Sequence, residues 1–438
     1  MQVKTVENIF LLMVRKSLGI LLLLICCKGI STALPEGPFP DAVFNHSVKT
    51  VQFAKEGWEF AYPILQMNDE KPLLLSFDDM TTSIKNYNYM IVHCDADWMP
   101  SRISYSEYAD GFYQNPITDY QSSFSTHVPY IHYQLQLPNE NVRLKLSGNY
   151  VVIVYEGVSE DTPAFIKRFV LVEPHVTIVS DIKRPVLPLY QNTYQEIDFS
   201  LLYPDFPIEN PYQNIKVSVV KNNQWKFSNN DLKPMFIRST ELVYDDAEKN
   251  IVLGGNEYRS FDIKSLKYLS ANIESIEFRG EAWYVELKPD SPRDKISYLY
   301  NEDLNGKYLI QNQQGTDATI DAEYAHVLFT FPAGTPLKDG DIYVYGALTD
   351  YNCYEDNRMT YNAKKKVYEL DLLVKQGYYN YQYVYVPKKS TDVDDRYFEG
   401  SFYETENNYV IYVYYRPFGS RFDSLIGVKI ANSLHQSQ

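Results

Sequence analysis

The sequence predicts an all-β protein: tandem immunoglobulin-like and early-set β-sandwiches with an irregular, β-rich middle segment. Three observations carry that expectation. Apolar and polar residues alternate with a period of two at many places. Tyrosine is unusually abundant, 40 of 438 residues, and its ring suits a pleated surface while its hydroxyl reaches water. No long stretch has helical spacing.

Residues 1–33 read as an export signal. Lys4, Arg15 and Lys16 precede the apolar run Leu18-Gly19-Ile20-Leu21-Leu22-Leu23-Leu24-Ile25-Cys26-Cys27. That run is shorter than the roughly 20 apolar residues a spanning helix needs. Ser31-Thr32-Ala33 supplies small residues for cleavage after Ala33. Cys26 and Cys27 raise a lipid-anchored alternative, but Leu23, Leu24 and Ile25 leave no small residue before Cys26. The signal holds four basic groups and one acid, so its removal takes the net charge from −15 to −18. A body so acidic repels nucleic acid and anionic lipid. No later run approaches membrane length.

Three blocks follow. Block 34–174 has strand patterns near 48–54, 58–66, 72–78, 86–94, 130–137, 148–156 and 164–172. Seven short antiparallel strands predict an immunoglobulin-like sandwich. Tyr150-Val151-Val152-Ile153-Val154-Tyr155 is apolar on both faces, as a central strand is. Ser147-Gly148-Asn149-Tyr150 offers a tyrosine corner. The longest irregular insertion, 95–129, carries Trp98, Tyr105, Tyr108, Tyr113 and Tyr120. Long ordered loops often serve function, so these rings are the expected partner-binding surface; the alternative is that they tuck the loop onto its own domain. Glu173-Pro174 and Pro185-Val186-Leu187-Pro188 open block 175–321, rich in Pro and Asn. There Gly254-Gly255-Asn256-Glu257-Tyr258 reads as a turn feeding a strand. Block 322–438 is the early-set candidate, with Ile342-Tyr343-Val344-Tyr345-Gly346 and Gly377-Tyr378-Tyr379-Asn380-Tyr381.

No catalytic, metal or cofactor site is expected. His93 and Cys94 are adjacent on a strand and point to opposite faces, so they form no nucleophile pair. His127 and His132 lack nearby third and fourth ligands. Asp303-Leu304-Asn305-Gly306 lacks the remaining calcium ligands and reads as a hairpin turn. Glu404-Thr405-Glu406 reads as solvated acids rather than a glycosidase pair. Cys94 and Cys353 read as buried thiols, with an interdomain disulfide as the alternative.

Several strings occur together in order: Gly57-Trp58-Glu59, Leu75-Ser76-Phe77-Asp78-Asp79, His93-Cys94-Asp95-Ala96-Asp97-Trp98 and Lys145-Leu146-Ser147-Gly148-Asn149-Tyr150. Later come Gly254-Gly255-Asn256-Glu257-Tyr258-Arg259, Lys375-Gln376-Gly377-Tyr378-Tyr379 and Glu399-Gly400-Ser401 with Glu404-Thr405-Glu406-Asn407. The ordered set resembles the type IX secretion system plug protein family over nearly the whole chain after residue 33. The resemblance implies a periplasmic protein that binds the large outer-membrane β-barrel translocon of that system and occludes its pore, with no catalytic residue and no cofactor. The rival reading is a glycan-binding module, prompted by the third block and the tyrosines.

Overall fold

Residues 37–158, 162–230 and 232–434 are described by the computed structural model. The expected export signal, Cys26 and Cys27 lie outside them. In the first sandwich, Val48–Lys55, Leu73–Asp79, Ile131–Leu137 and Asp119–Ser122 form one sheet in that order. The facing sheet runs Ala42–Val43, Pro163–Val172, Gly148–Glu156, Tyr87–Cys94, Asn115–Pro116. One difference from expectation is local. Of the 58–66 stretch only Ile64–Gln66 is a strand, and it pairs parallel with Pro163–Val172.

The double-faced strand Gly148–Glu156 explains how the sandwiches join. Tyr150, Val152 and Val154 fill the first sandwich's own core with Leu75 and Phe77. Val151, Ile153 and Tyr155 face outward into a second cluster with Val410, Tyr412 and Tyr414. Each such buried aliphatic side chain contributes about 1.5–3 kcal/mol, so neither face can be left to water. The Tyr150 hydroxyl donates to the Leu146 carbonyl at 2.6 Å, which is the tyrosine corner. The third sandwich repeats it: the Tyr379 hydroxyl donates to the Lys375 carbonyl at 2.5 Å.

The boundary expected at 321/322 does not separate two cores. In the second sandwich, Thr177–Lys183, Tyr194–Leu202, Glu241–Tyr244 and Phe236–Ile237 form one sheet. The facing sheet is Ile215–Lys221, Asn408–Tyr415 and Ser424–Asn432. The last two strands thus belong to the second sandwich, and the third is inserted into it. Its core spans Phe261 to Phe398, built around Tyr324–Pro332, Val367–Lys375 and Gly377–Pro387. The reason lies in Asn408–Tyr415. Tyr409, Ile411 and Val413 enter the second core, while Val410, Tyr412 and Tyr414 pack toward the first sandwich.

The two links of the insertion cross and bond to each other. Phe402 N donates to the Gly255 carbonyl at 2.8 Å, and Thr405 Oγ1 donates to the same oxygen at 2.8 Å. A Cβ at Gly254 would lie 1.9 Å from the Phe402 carbonyl oxygen, so only glycine permits this approach.

Candidate partner-binding surface

The 95–129 insertion behaves mainly as an internal clamp. Trp98 has φ +66° and is only 4% exposed. Its ring meets Trp225 of the second sandwich edge-on at 4.8 Å, and the Arg168 guanidinium lies 4.5 Å from it. Tyr108 is buried, and its hydroxyl donates to the Ile91 carbonyl at 3.1 Å. Tyr105 stands edge-on to both Tyr108 and Tyr113. Trp98 and Tyr108 are therefore not offered to a partner.

Other groups tie the insertion down on both sides. Ala96 N donates to Asp423 Oδ2 at 3.0 Å, and Arg416 pairs with Asp95 at 2.7 Å. At its far end, His127 N and Val128 N donate to the Glu323 carboxylate at 2.6 and 3.0 Å. Tyr113 and Tyr120 remain 41% exposed, the latter tilted against Tyr133. Sequence reasoning missed Phe112 and Phe124, at 75% and 71% the most exposed rings of the insertion. No sequence signal separates them from the other rings of the loop, since Trp98 also lacks a hydroxyl and is buried.

The reactive side chains are placed for structure. Ser101 Oγ lies 2.7 Å from His93 Nδ1 and donates to Asp95 Oδ1 at 3.0 Å. Here the serine stands between the other two, whereas nucleophilic catalysis needs the histidine in the middle. Burial pulls His93 down to about 4 and pushes the Cys94 thiol up, so neither is primed. Cys94 and Cys353 are both free. His132 Nδ1 lies 2.6 Å from Asp78 Oδ1, and the His127 ring packs on Phe278. Asn305 and Gly306 take φ +53° and +82° in a turn, but not the expected hairpin, since Tyr308–Ile310 after it pairs with Gly377–Pro387.

Glu406 is not a free solvated acid: it accepts from Asn305 Nδ2 at 2.8 Å and also from Asn432. Among the described residues, Glu196, Asp198 and Asp245 bring three carboxylates within 4.8 Å. The Lys183 ammonium already pairs with two of them. Of the three rings the glycan reading relies on, Tyr379 and Tyr381 are buried in the third core, while Tyr378 is half-buried with the Lys264 ammonium over its ring. No helix among the described residues is long and apolar enough to cross a membrane.

Residues 48–173 match the family model described as type 9 secretion system plug protein 1st domain. The crystal structure of a hypothetical protein from Parabacteroides merdae ATCC 43184 is 36% identical in sequence, with a TM-score of 0.86 over 90% of this chain and 99% of that one. A collagen adhesin from S. aureus is 8% identical, with a TM-score of 0.10 over 90% of this chain and 98% of that one. That score carries no structural argument. No curated protein matches the chain.

Proposed function

The chain belongs to the type 9 secretion system plug protein family, and from that premise we propose a non-enzymatic periplasmic subunit that seats in the mouth of the outer-membrane translocon barrel and occludes it. The observation that carries this reading is the joining of three sandwiches into one body. The first meets the second through the apolar cluster around Trp98, Trp225 and Tyr412. It meets the third through Asp78 and Lys375, both buried, with Nζ to Oδ2 at 2.8 Å. The third is inserted into the second through crossed links. A steric stopper needs this kind of body, because units on loose linkers would move relative to one another.

Phe112 and Phe124 are the proposed anchors for the barrel, with Tyr113 and Tyr120 beside them in the sequence. Aromatic side chains, Phe among them, are enriched at protein interfaces relative to the rest of the surface. The test is capture of the full chain from solubilised outer membranes, followed by identification of what comes with it. A large β-barrel is expected to copurify. The double variant Phe112→Ser with Phe124→Ser should reduce its recovery at least about tenfold while stability shifts by no more than about 0.5 kcal/mol. Capture of the chain without any large barrel overturns the reading.

A further inference from the structure

The strand Ser424–Asn432 is the last of its sheet. Segment 173–176 bonds to it only as far as the Ile426 carbonyl. Beyond that point lies an open groove of about 890 Å³. Val428, Lys429 and Ile430 all line it. Successive residues on a strand point to opposite faces, so a groove that touches three in a row meets the strand's edge. Its other wall holds Trp58 and Phe60, 66% and 41% exposed, and Ile64 and Gln66 from the end of a different sheet.

Lys307 stands at this groove without an anion. Its Nζ donates to the Phe60 carbonyl at 2.5 Å and lies 3.9 Å from the centroid of the Tyr62 ring. No described carboxylate comes within 4.0 Å of it, whereas Lys55 on the same groove is paired with Asp69 at 2.8 Å. Lys429 adds a second cation on the same wall. Burial draws Lys307 down to about 8, offset in part by Glu406. A mostly buried ammonium with one carbonyl and one ring as partners still has N–H groups to give. Glu59 and Asp69 also line the groove, against Lys55, Lys307 and Lys429, so in a chain of net charge −15 this groove still carries one more cation than anions.

We propose that this groove binds an extended peptide segment of a partner protein, one that carries a carboxylate. The segment adds as a strand to the edge at Val428–Ile430, as peptides do on exposed sheet edges. An apolar side chain lies between Trp58, Phe60 and Ile430, and the carboxylate meets Lys307. The charge decides the occupant: a basic or neutral segment would leave the ammonium unpaired, and a neutral glycan would use the rings alone. The inference goes beyond occlusion of a pore and does not depend on it.

The probe is a fluorescein-labelled hexapeptide of alternating Val and Thr that ends in Phe and then Asp, with a free C-terminus. Its control ends in Phe and then Asn amide. Anisotropy with the full chain should show the carboxylate peptide binding at least about tenfold more tightly, the scale of a charge-assisted hydrogen bond. Lys307→Met should abolish that preference, and Trp58→Ala should weaken both peptides alike. Should Lys307→Met fail to fold, raising salt from about 0.05 M to about 0.5 M with the unmodified chain should shrink the preference. Equal binding of the two peptides, no binding of either, or a preference that survives both Lys307→Met and salt overturns the proposal. None of these outcomes bears on capture of the barrel.

Discussion

Where the first sandwich meets the second, Trp98, Trp225 and Tyr412 pack ring to ring at 4.8 Å spacings, with Val151, Ile153 and Leu425 around them. Where it meets the third, Asp78 receives Lys375 at 2.8 Å and the Tyr324 hydroxyl at 2.7 Å. The Lys375 ammonium also lies 4.1 Å from the Tyr130 ring centroid and donates to the Thr319 carbonyl at 2.7 Å. The first seam resembles a domain core shared by two units, and apolar burial holds it. The second gains little net stability from its ion pair, because both charges lose their water. What it adds is position. Asp78 meets its three side-chain partners, His132, Tyr324 and Lys375, only when Val367–Lys375 and Ile131–Leu137 are correctly placed, so adhesion and alignment are supplied by different seams.

The largest way to break this contrast is Lys375→Met. It leaves the buried Asp78 without its lysine, held only by the His132 ring and the Tyr324 hydroxyl, which costs up to about 3–5 kcal/mol in urea unfolding of the full chain. Adding Asp78→Asn should return most of that loss, since the stranded charge is gone. A cost below about 1 kcal/mol for Lys375→Met would mean that water reaches the seam. Next in size is Trp98→Ala, with an expected loss of about 3 kcal/mol from transfer and cavity terms. This loss should be insensitive to salt and should have no single-site rescue, because no charge is stranded.

The same contrast marks what the sequence could reveal. Period-two patterns located most strands, and Gly148-Asn149-Tyr150 located a corner, because both signals are local. Asn408–Tyr415 was not read as a strand, and what covers its two faces is not local: its pairing of Tyr415 with Ile215 is a long-range fact. Trp98 was open to two readings, an anchor for another protein or a ring tucked onto its own chain, and it packs against another part of its own chain. An aromatic residue in a loop looks the same in both cases. Lys375 and Lys307 carried no signal at all, since a lone lysine in a strand or turn normally reaches water. Phe112 and Phe124 carried no signal that separates them from the buried rings of the same loop.

A third contact zone sharpens the comparison, because a buried acid there has other acids as neighbours. Where the links of the insertion cross, Asp303 accepts backbone N–H groups from Tyr258 and Asn305. Burial, with Glu257 and Glu406 nearby, pushes its carboxyl up to about 7. The unfolded chain would titrate near about 4. Between those values the folded state binds the additional proton, so stability falls as pH rises through that window, by at most about 1.4 kcal/mol per pH unit. His93 acts in the opposite sense, since its lowered value makes stability rise with pH between about 4 and about 6.5. Asp303→Asn isolates the acid. It keeps one acceptor oxygen and loses the charge, so any lost hydrogen bond is a constant offset. The stability of the unmodified chain minus that of the variant, from urea unfolding at successive pH values, should fall steadily from about pH 4 to about pH 7 and then level off. A flat difference would place Asp303 in contact with water and leave the crossing of the links without its like-charge strain.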